Sequence, residues 1–236
     1  MSNDRPVIVL VHGAFAESAS WNRVIRRLND RGHDAVAAGN PLRGVPGDAA
    51  YVRDVIAGLN RPVVLAAHSY GGMVITEAAS GNPAVQSLVY IAGFAPDRDE
   101  TAFQLSEKFE GSTLGAALES YPLTEGGNDL RIASDKFHAQ FCADVGADEA
   151  ALMAATQRPV TERALTGPLT VDEPAWREKP SWFILGSDDR NIPAALMHFM
   201  ADRAGSRGTR EIPGASHAIA VSQPDAVADT VLEACA

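Results

Sequence analysis

The sequence predicts an α/β protein: a doubly wound, mostly parallel sheet with a helical lid inserted between two of its strands. Three observations carry that expectation. Short aliphatic runs such as Val7–Val11 are continuous rather than alternating, as strands buried on both faces of a parallel sheet must be. Segments with helical spacing separate these runs, so successive parallel strands are joined by right-handed helical crossovers. From about Pro96 to Lys179 the chain shows helical patches but no good buried strand. The expected division is therefore a core of residues 1–95 and 180–236 around an inserted lid, 96–179.

Element by element, Val7–Val11 reads as an interior strand. Trp21, Val24, Ile25 and Leu28 follow i, i+3, i+4, i+7 spacing, with Ser18 or Ser20 as candidate N-caps and Gly32 as a stop. Asp34–Ala38 is a weaker strand, and Tyr51, Val52, Val55, Ile56 and Leu59 mark a second helix. Pro62–Ala67 is a strand, Tyr70–Ser80 a helix, and Leu88–Ala92 and Ser181–Leu185 are strands. A helix opens at Pro193 and closes at Gly205, with proline in its first turn and glycine just past its end. A short strand near Arg210–Ile212 precedes a last helix opening at Pro224. The lid carries helical patches at Ala102–Phe109, Ser134–Phe141 and Asp148–Thr156. Stretches this long between core elements usually carry function.

Composition narrows the function classes. With 46% hydrophobic and 21% charged residues the 236-residue chain is globular, not disordered or fibrous. Its net charge of −10 disfavours a nucleic-acid backbone or an anionic bilayer as partner, since both require a positive surface. Cys142 and Cys235 lie in no CxxC or Cys/His cluster, so the expectation is two reduced thiols and no metal site. The apolar run Val7–Val11 is too short for a signal-peptide core or a membrane span, which points to a cytoplasmic protein. No dinucleotide or P-loop glycine fingerprint stands at a strand-to-helix turn.

The chemistry concentrates at three predicted strand ends. Leu65-Ala-Ala-His-Ser69-Tyr-Gly-Gly72 runs from a strand into a helix rich in small residues, the setting of a nucleophile elbow with Ala67 in place of the first glycine. So tight a turn needs small residues two before and two after the serine, and it aims the Tyr70 N–H at the place where an oxyanion forms. After the first strand, His12-Gly13-Ala14-Phe15 can present the Ala14 N–H to the same point. Of the six histidines, His217 lies in a polar loop after the last strand, where ligands bind in open α/β sheets. His68 adjoins the nucleophile but is turned away from the hydroxyl, His198 sits mid-helix, and His138 belongs to the lid. Asp189, in Gly186-Ser-Asp-Asp189-Arg-Asn-Ile-Pro193, is the preferred acid; Asp97 is the minority alternative.

The segments VHGAFAESASW, AHSYGGM, GSDDRNIP and PGASHA together resemble the α/β-hydrolase superfamily, and within it the small serine esterases similar to plant methylesterases and hydroxynitrile lyases. The chain order Ser69, Asp189, His217 agrees. The resemblance covers nearly the whole chain and is weakest between about Thr101 and Glu178. It implies Ser69 as nucleophile, His217 as base, Asp189 as acid, and the amides of Ala14 and Tyr70 as oxyanion hole. The lyases carry lysine after the catalytic histidine and threonine after the first-loop histidine, where this chain has Ala218 and Gly13.

The expected activity is therefore cofactor-independent, metal-free hydrolysis of small to medium carboxylic esters through an acyl-enzyme. Alternatives are hydroxynitrile-lyase-like or cofactor-free haloperoxidase/perhydrolase activity, or a ligand receptor on a hydrolase scaffold. Phe15, Phe94, Phe103, Leu105, Phe109, Phe137, Phe141, Leu152 and Met153 are candidates to line an apolar pocket, the competing reading being that most of them pack the lid's own helices. The expected partner is a small ester, for a monomer or homodimer.

Overall fold

In the computed structural model, which describes residues 5–236, the predicted alternation is realised. The chain runs β1 (Val7–Val11), α1 (Asn22–Asp30), β2 (Ala35–Ala38), α2 (Val45–Leu59), β3 (Val63–His68), α3 (Gly71–Ala78) and β4 (Val85–Ile91). The segment that follows holds α4 (Ala102–Ser106), β5 (Leu118–Pro122), β6 (Asn128–Ile132), α5 (Ser134–Phe141), α6 (Ala147–Thr156), β7 (Val160–Thr161) and α7 (Glu162–Thr166). It then closes with β8 (Ser181–Gly186), α8 (Ala194–Arg203), β9 (Gly208–Ile212), α9 (Ile219–Ser222) and α10 (Pro224–Glu233). Six strands form one sheet in the order β2-β1-β3-β4-β8-β9, every pair parallel.

The continuous apolar runs are explained by two cores, one on each face of the sheet. Ile8, Leu10, Val64, Ala66, Val89 and Ile184 pack with Val24 and Leu28 of α1 and Val227 and Val231 of α10. Their alternate neighbours, including Val9, Val11, Leu65 and Phe183, pack with Val52 of α2, Met73 of α3 and Met200 of α8. Because successive strand side chains point to opposite faces, a strand covered on both sides favours apolar residues at successive positions.

Two local expectations are corrected. Neither Ser18 nor Ser20 caps α1: the Ser18 hydroxyl donates to Ala38 O and that of Ser20 to Glu17 O. These residues instead form a 3-10 turn, Ser18–Trp21, that carries Trp21 into the core with no exposure. The segment between β4 and β8 also contains strand, a small antiparallel sheet β5-β6-β7. Its signal is hidden because β5 is largely exposed and polar and β7 is only two residues long. Among the described residues no helix is long and apolar enough to cross a membrane.

Candidate active site

β1 and β3 are the adjacent strands at which the strand order reverses, with β2 on one side and β4, β8 and β9 on the other. The loops leaving their carboxyl ends part at such a switch point and open a crevice. Ser69 follows β3 and the His12–Phe15 turn follows β1, so the two predicted loops meet at that crevice.

Ser69 adopts φ +55°, left-handed backbone that costs a non-glycine residue about 1–2 kcal/mol. Its main chain is held there on both sides. Ser69 N–H donates to Ala92 O at 3.1 Å, and Ser69 O accepts from Gly72 N–H at 2.9 Å and Phe94 N–H at 3.1 Å. The neighbouring glycines are required by closeness: a Cβ on Gly13 would stand 2.5 Å from Ser69 Cβ, and one on Gly71 would stand 2.6 Å from Val11 O.

Ala14 and Tyr70 line the same cavity as Ser69, and neither backbone N–H donates to an acceptor among the described residues. Tyr70 is the N-cap of α3, where the amides of a helix's first turn carry its positive end. The Tyr70 side chain is committed elsewhere: its hydroxyl donates to Asp48 Oδ2 at 2.8 Å. Burial first, and the Asp48 charge second, push the phenol pKa up and keep it neutral. Burial also raises Asp48, against the pull of the Arg43 and Gly44 amides that donate to it.

His217 and Asp189 meet in the interior. His217 Nδ1 lies 2.7 Å from Asp189 Oδ2, and both side chains are 1% exposed. The other carboxylate oxygen, Oδ1, accepts from Asn191 N–H at 2.7 Å and Ile192 N–H at 2.9 Å. A buried carboxylate so fully partnered avoids the penalty of an unpaired charge. The His217 ring rests 4.5 Å from the His68 ring and 5.0 Å from that of Phe141. His68 Nε2–H donates to His217 O at 3.0 Å. Burial, then the proximity of His217, drive the His68 pKa well down, so His68 supports the His217 loop as a neutral ring. Ser69 Oγ makes no hydrogen bond among the described residues, to His217 or to anything else.

The remaining candidates are placed as follows. Asp97 is paired with Arg177 at 2.6 Å and has no contact with His217. His198 bonds Glu211 on the surface, and His138 Nε2–H donates to Val145 O. The cavity above Ser69 is about 510 Å³, and Phe15, Phe94, Phe103 and Phe109 line it. Phe137 and Phe141 do not. They lie one turn apart on the buried face of α5, stacked at 5.0 Å, and Phe141 turns its edge to His217. Leu105 is core, and Leu152 and Met153 border a separate depression. Both cysteines are free, and burial lifts the Cys142 thiol to about 12 and Cys235 to about 11. Among the described residues no group of three or more His, Cys, Asp or Glu side chains is arranged to hold a metal ion.

Sequence reasoning missed the Asn191 and Ile192 amides that hold Asp189. Their signal is the Asp-x-Asn spacing, in which an Asp side chain caps the backbone two residues on. It also missed Glu107 and Glu110 at the cavity mouth, which no periodicity marks.

The model of the alpha/beta hydrolase family matches residues 8–230. An alpha-hydroxynitrile lyase of Arabidopsis thaliana is 25% identical over 244 residues, covering 94% of each chain. Salicylic acid-binding protein 2 of Nicotiana tabacum is 26% identical over 249 residues, covering 95% of each. The crystal structure of polyneuridine aldehyde esterase superposes with a TM-score of 0.83 at 19% identity, covering 97% of this chain and 98% of that one. The sheet order, the elbow at its switch point and a family match spanning both halves of the sheet lead to one conclusion: the chain belongs to the alpha/beta hydrolase family.

Proposed function

We propose that the protein is a serine hydrolase that cleaves small to medium neutral carboxylic esters through an acyl-enzyme. The observation that supports it best is the strained Ser69 lining an apolar cavity in a protein that also holds a buried His217–Asp189 pair. The reading requires the Ser69 hydroxyl to reach His217 Nε2 when an ester enters, catalytic hydrogen bonds being commonly open in the empty site. His217 takes the proton as Oγ attacks the carbonyl carbon, and the Ala14 and Tyr70 amides hold the developing oxyanion. The proton passes to the leaving alcohol as the acyl-enzyme forms. Water, deprotonated by the same ring, then releases the acid and restores Ser69. Asp189 holds the imidazole in one tautomer throughout.

The lining argues for the substrate's charge. Its charged side chains are Glu107 and Glu110, both acidic and exposed at the mouth, and no Lys, Arg or His lines the cavity. An ester chain ending in a methyl ester should therefore outrun its carboxylate-ended counterpart in kcat/KM, by roughly tenfold at low salt and less as salt rises. Stopped assays of the two p-nitrophenyl glutarates across ionic strength measure this. A preference for the carboxylate would refute the charge assignment.

The defining experiment is a chain-length panel of aryl and methyl esters before and after phenylmethylsulfonyl fluoride. Turnover lost on treatment supports the reading; untouched turnover overturns it. Gly13→Ala, which forces a methyl against Ser69, should cut turnover by about a hundredfold, as displacement of a reacting group by about 1 Å does. The lyase alternative is disfavoured by the residue beside the base: Ala218 is buried and offers no cation for cyanide. A receptor for a carboxylate ligand fits poorly with an acidic mouth.

A further inference from the structure

We infer that the last turn of α5 and the residues just after it, Gln140 to Asp144, form a brace that sets the acid and base loops against each other, with Gln140 as its positioning residue. The inference rests on the serine hydrolase reading but concerns residues which that mechanism does not use.

The brace is visible on both sides. Toward the acid loop, the Gln140 amide, 8% exposed, donates from Nε2 to Arg190 O at 2.9 Å and to Asn191 Oδ1 at 2.8 Å. Its Oε1 accepts from the Thr113 hydroxyl at 2.8 Å, which fixes which way the amide faces. Arg190 O also accepts from Thr113 N–H at 2.9 Å. The Asn191 so held is the residue whose own N–H donates to Asp189 Oδ1. One chain of bonds thus runs from Thr113 through Gln140 and Asn191 to the carboxylate that faces His217.

Toward the base loop, the next residue does the corresponding work. Phe141 O accepts from Ala218 N–H at 3.0 Å, while its ring stands edge-on to His217. Asp144 accepts a short hydrogen bond from the Ser216 hydroxyl. The residues on both sides of His217 are therefore tied to the same turn that holds Asn191. A helix is stiff over one turn, so two loops fastened to adjacent residues of it cannot move independently.

The physical consequence concerns distance between groups rather than substrate contact. Gln140 does not itself line the cavity, although the Asn191 it holds does, so its loss should act mainly through the placement of the acid loop. Removing its amide leaves Asn191 Oδ1 without its Gln140 donor and Arg190 O with the Thr113 N–H alone, and frees the acid loop to shift. Misplacement of a catalytic group by about 1 Å costs on the order of a hundredfold in rate.

The test uses the full chain with Gln140→Met, which keeps the side chain's length and removes its hydrogen bonds, and Gln140→Glu, which keeps only the acceptor for Thr113. Two readouts are taken: the far-downfield NMR resonance of the His217 Nδ1 proton, recorded without substrate, and the kcat and KM of one neutral p-nitrophenyl ester. The expected result is a shifted or broadened resonance, kcat lower by about ten- to a hundredfold, and KM within about twofold. Thr113→Val, at an exposed position, should move the resonance in the same sense by less, which keeps the question answerable if the buried variants fold poorly. A wild-type resonance with wild-type kcat, or a loss confined to KM, overturns the brace. Absence of ester turnover in the unaltered chain strikes the hydrolase reading instead, because the resonance reports the Asp189–His217 contact on its own.

Discussion

Replacing Ser69 by alanine should remove p-nitrophenyl acetate turnover and fluorophosphonate labelling together, a loss of about 10⁴- to 10⁶-fold in kcat. Fold stability should hardly change, because Ser69 Oγ makes no hydrogen bond among the described residues and a single cavity-facing oxygen is all that is lost. Alanine keeps the strained backbone, whereas glycine adopts φ +55° without penalty. Ser69→Gly should therefore be equally inactive yet more stable by about 1 kcal/mol, or roughly 2–4 °C in Tm for a chain of this size. The pair separates the two roles of the position: the backbone strain is retained at a cost to the fold because it aims the hydroxyl. Turnover surviving in either variant would sink the nucleophile assignment.

Asp189→Asn should lower kcat by about 10⁴-fold with nearly unchanged shape. The direction follows from the hydrogen bonds. Oδ1 accepts from two backbone N–H groups, of Asn191 and Ile192, so that side of the amide must remain oxygen. The NH₂ is then forced toward His217 Nδ1, in place of the oxygen that now lies 2.7 Å away. An N–H donor there demands a lone pair on Nδ1, which puts the ring's proton on Nε2 and leaves no base facing Ser69. Kinetics and the His217 proton resonance should report it together: the rate collapses and the downfield Nδ1 signal disappears. A variant that keeps both would show that Asp189 does not orient the base.

Legibility from the sequence differed by the range of the interaction. The elbow could be read because its requirements are local: small residues around one serine, between a buried strand and a helix. The same holds for β1 and β3, with their aliphatic runs, and for the apolar stretches of β4 and β8, which suit strands buried on both faces. α1 was placed well by its periodicity, but its start was not. The pull that buries Trp21 is tertiary, and it turns two apparent capping serines into turn residues. β5 to β7 went unread because an exposed antiparallel sheet needs few apolar side chains, and its pairing joins residues up to about thirty positions apart.

The pocket shows the same division. Phe137 and Phe141 share a spacing that fits either a ligand wall or a helix core, and only packing decides between them, Phe141 against His68 and His217 and Phe137 against Phe141. Gln140 is an ordinary polar residue in sequence. It acquires meaning because folding brings Asn191, fifty-one positions away, to its amide.

What this sequence determined alone was the strands of the parallel sheet, the strand-turn-helix at Ser69 and the order in which Ser69, Asp189 and His217 occur along the chain. Each depends on side-chain volume, backbone preference or period over a few neighbouring residues. Tertiary structure alone decided which aromatic rings face the cavity, that its mouth is acidic, and that the turn from Gln140 to Asp144 ties two distant loops together. Those depend on contacts between residues far apart in the chain, whose energies are felt only once the sheet has closed around its two cores.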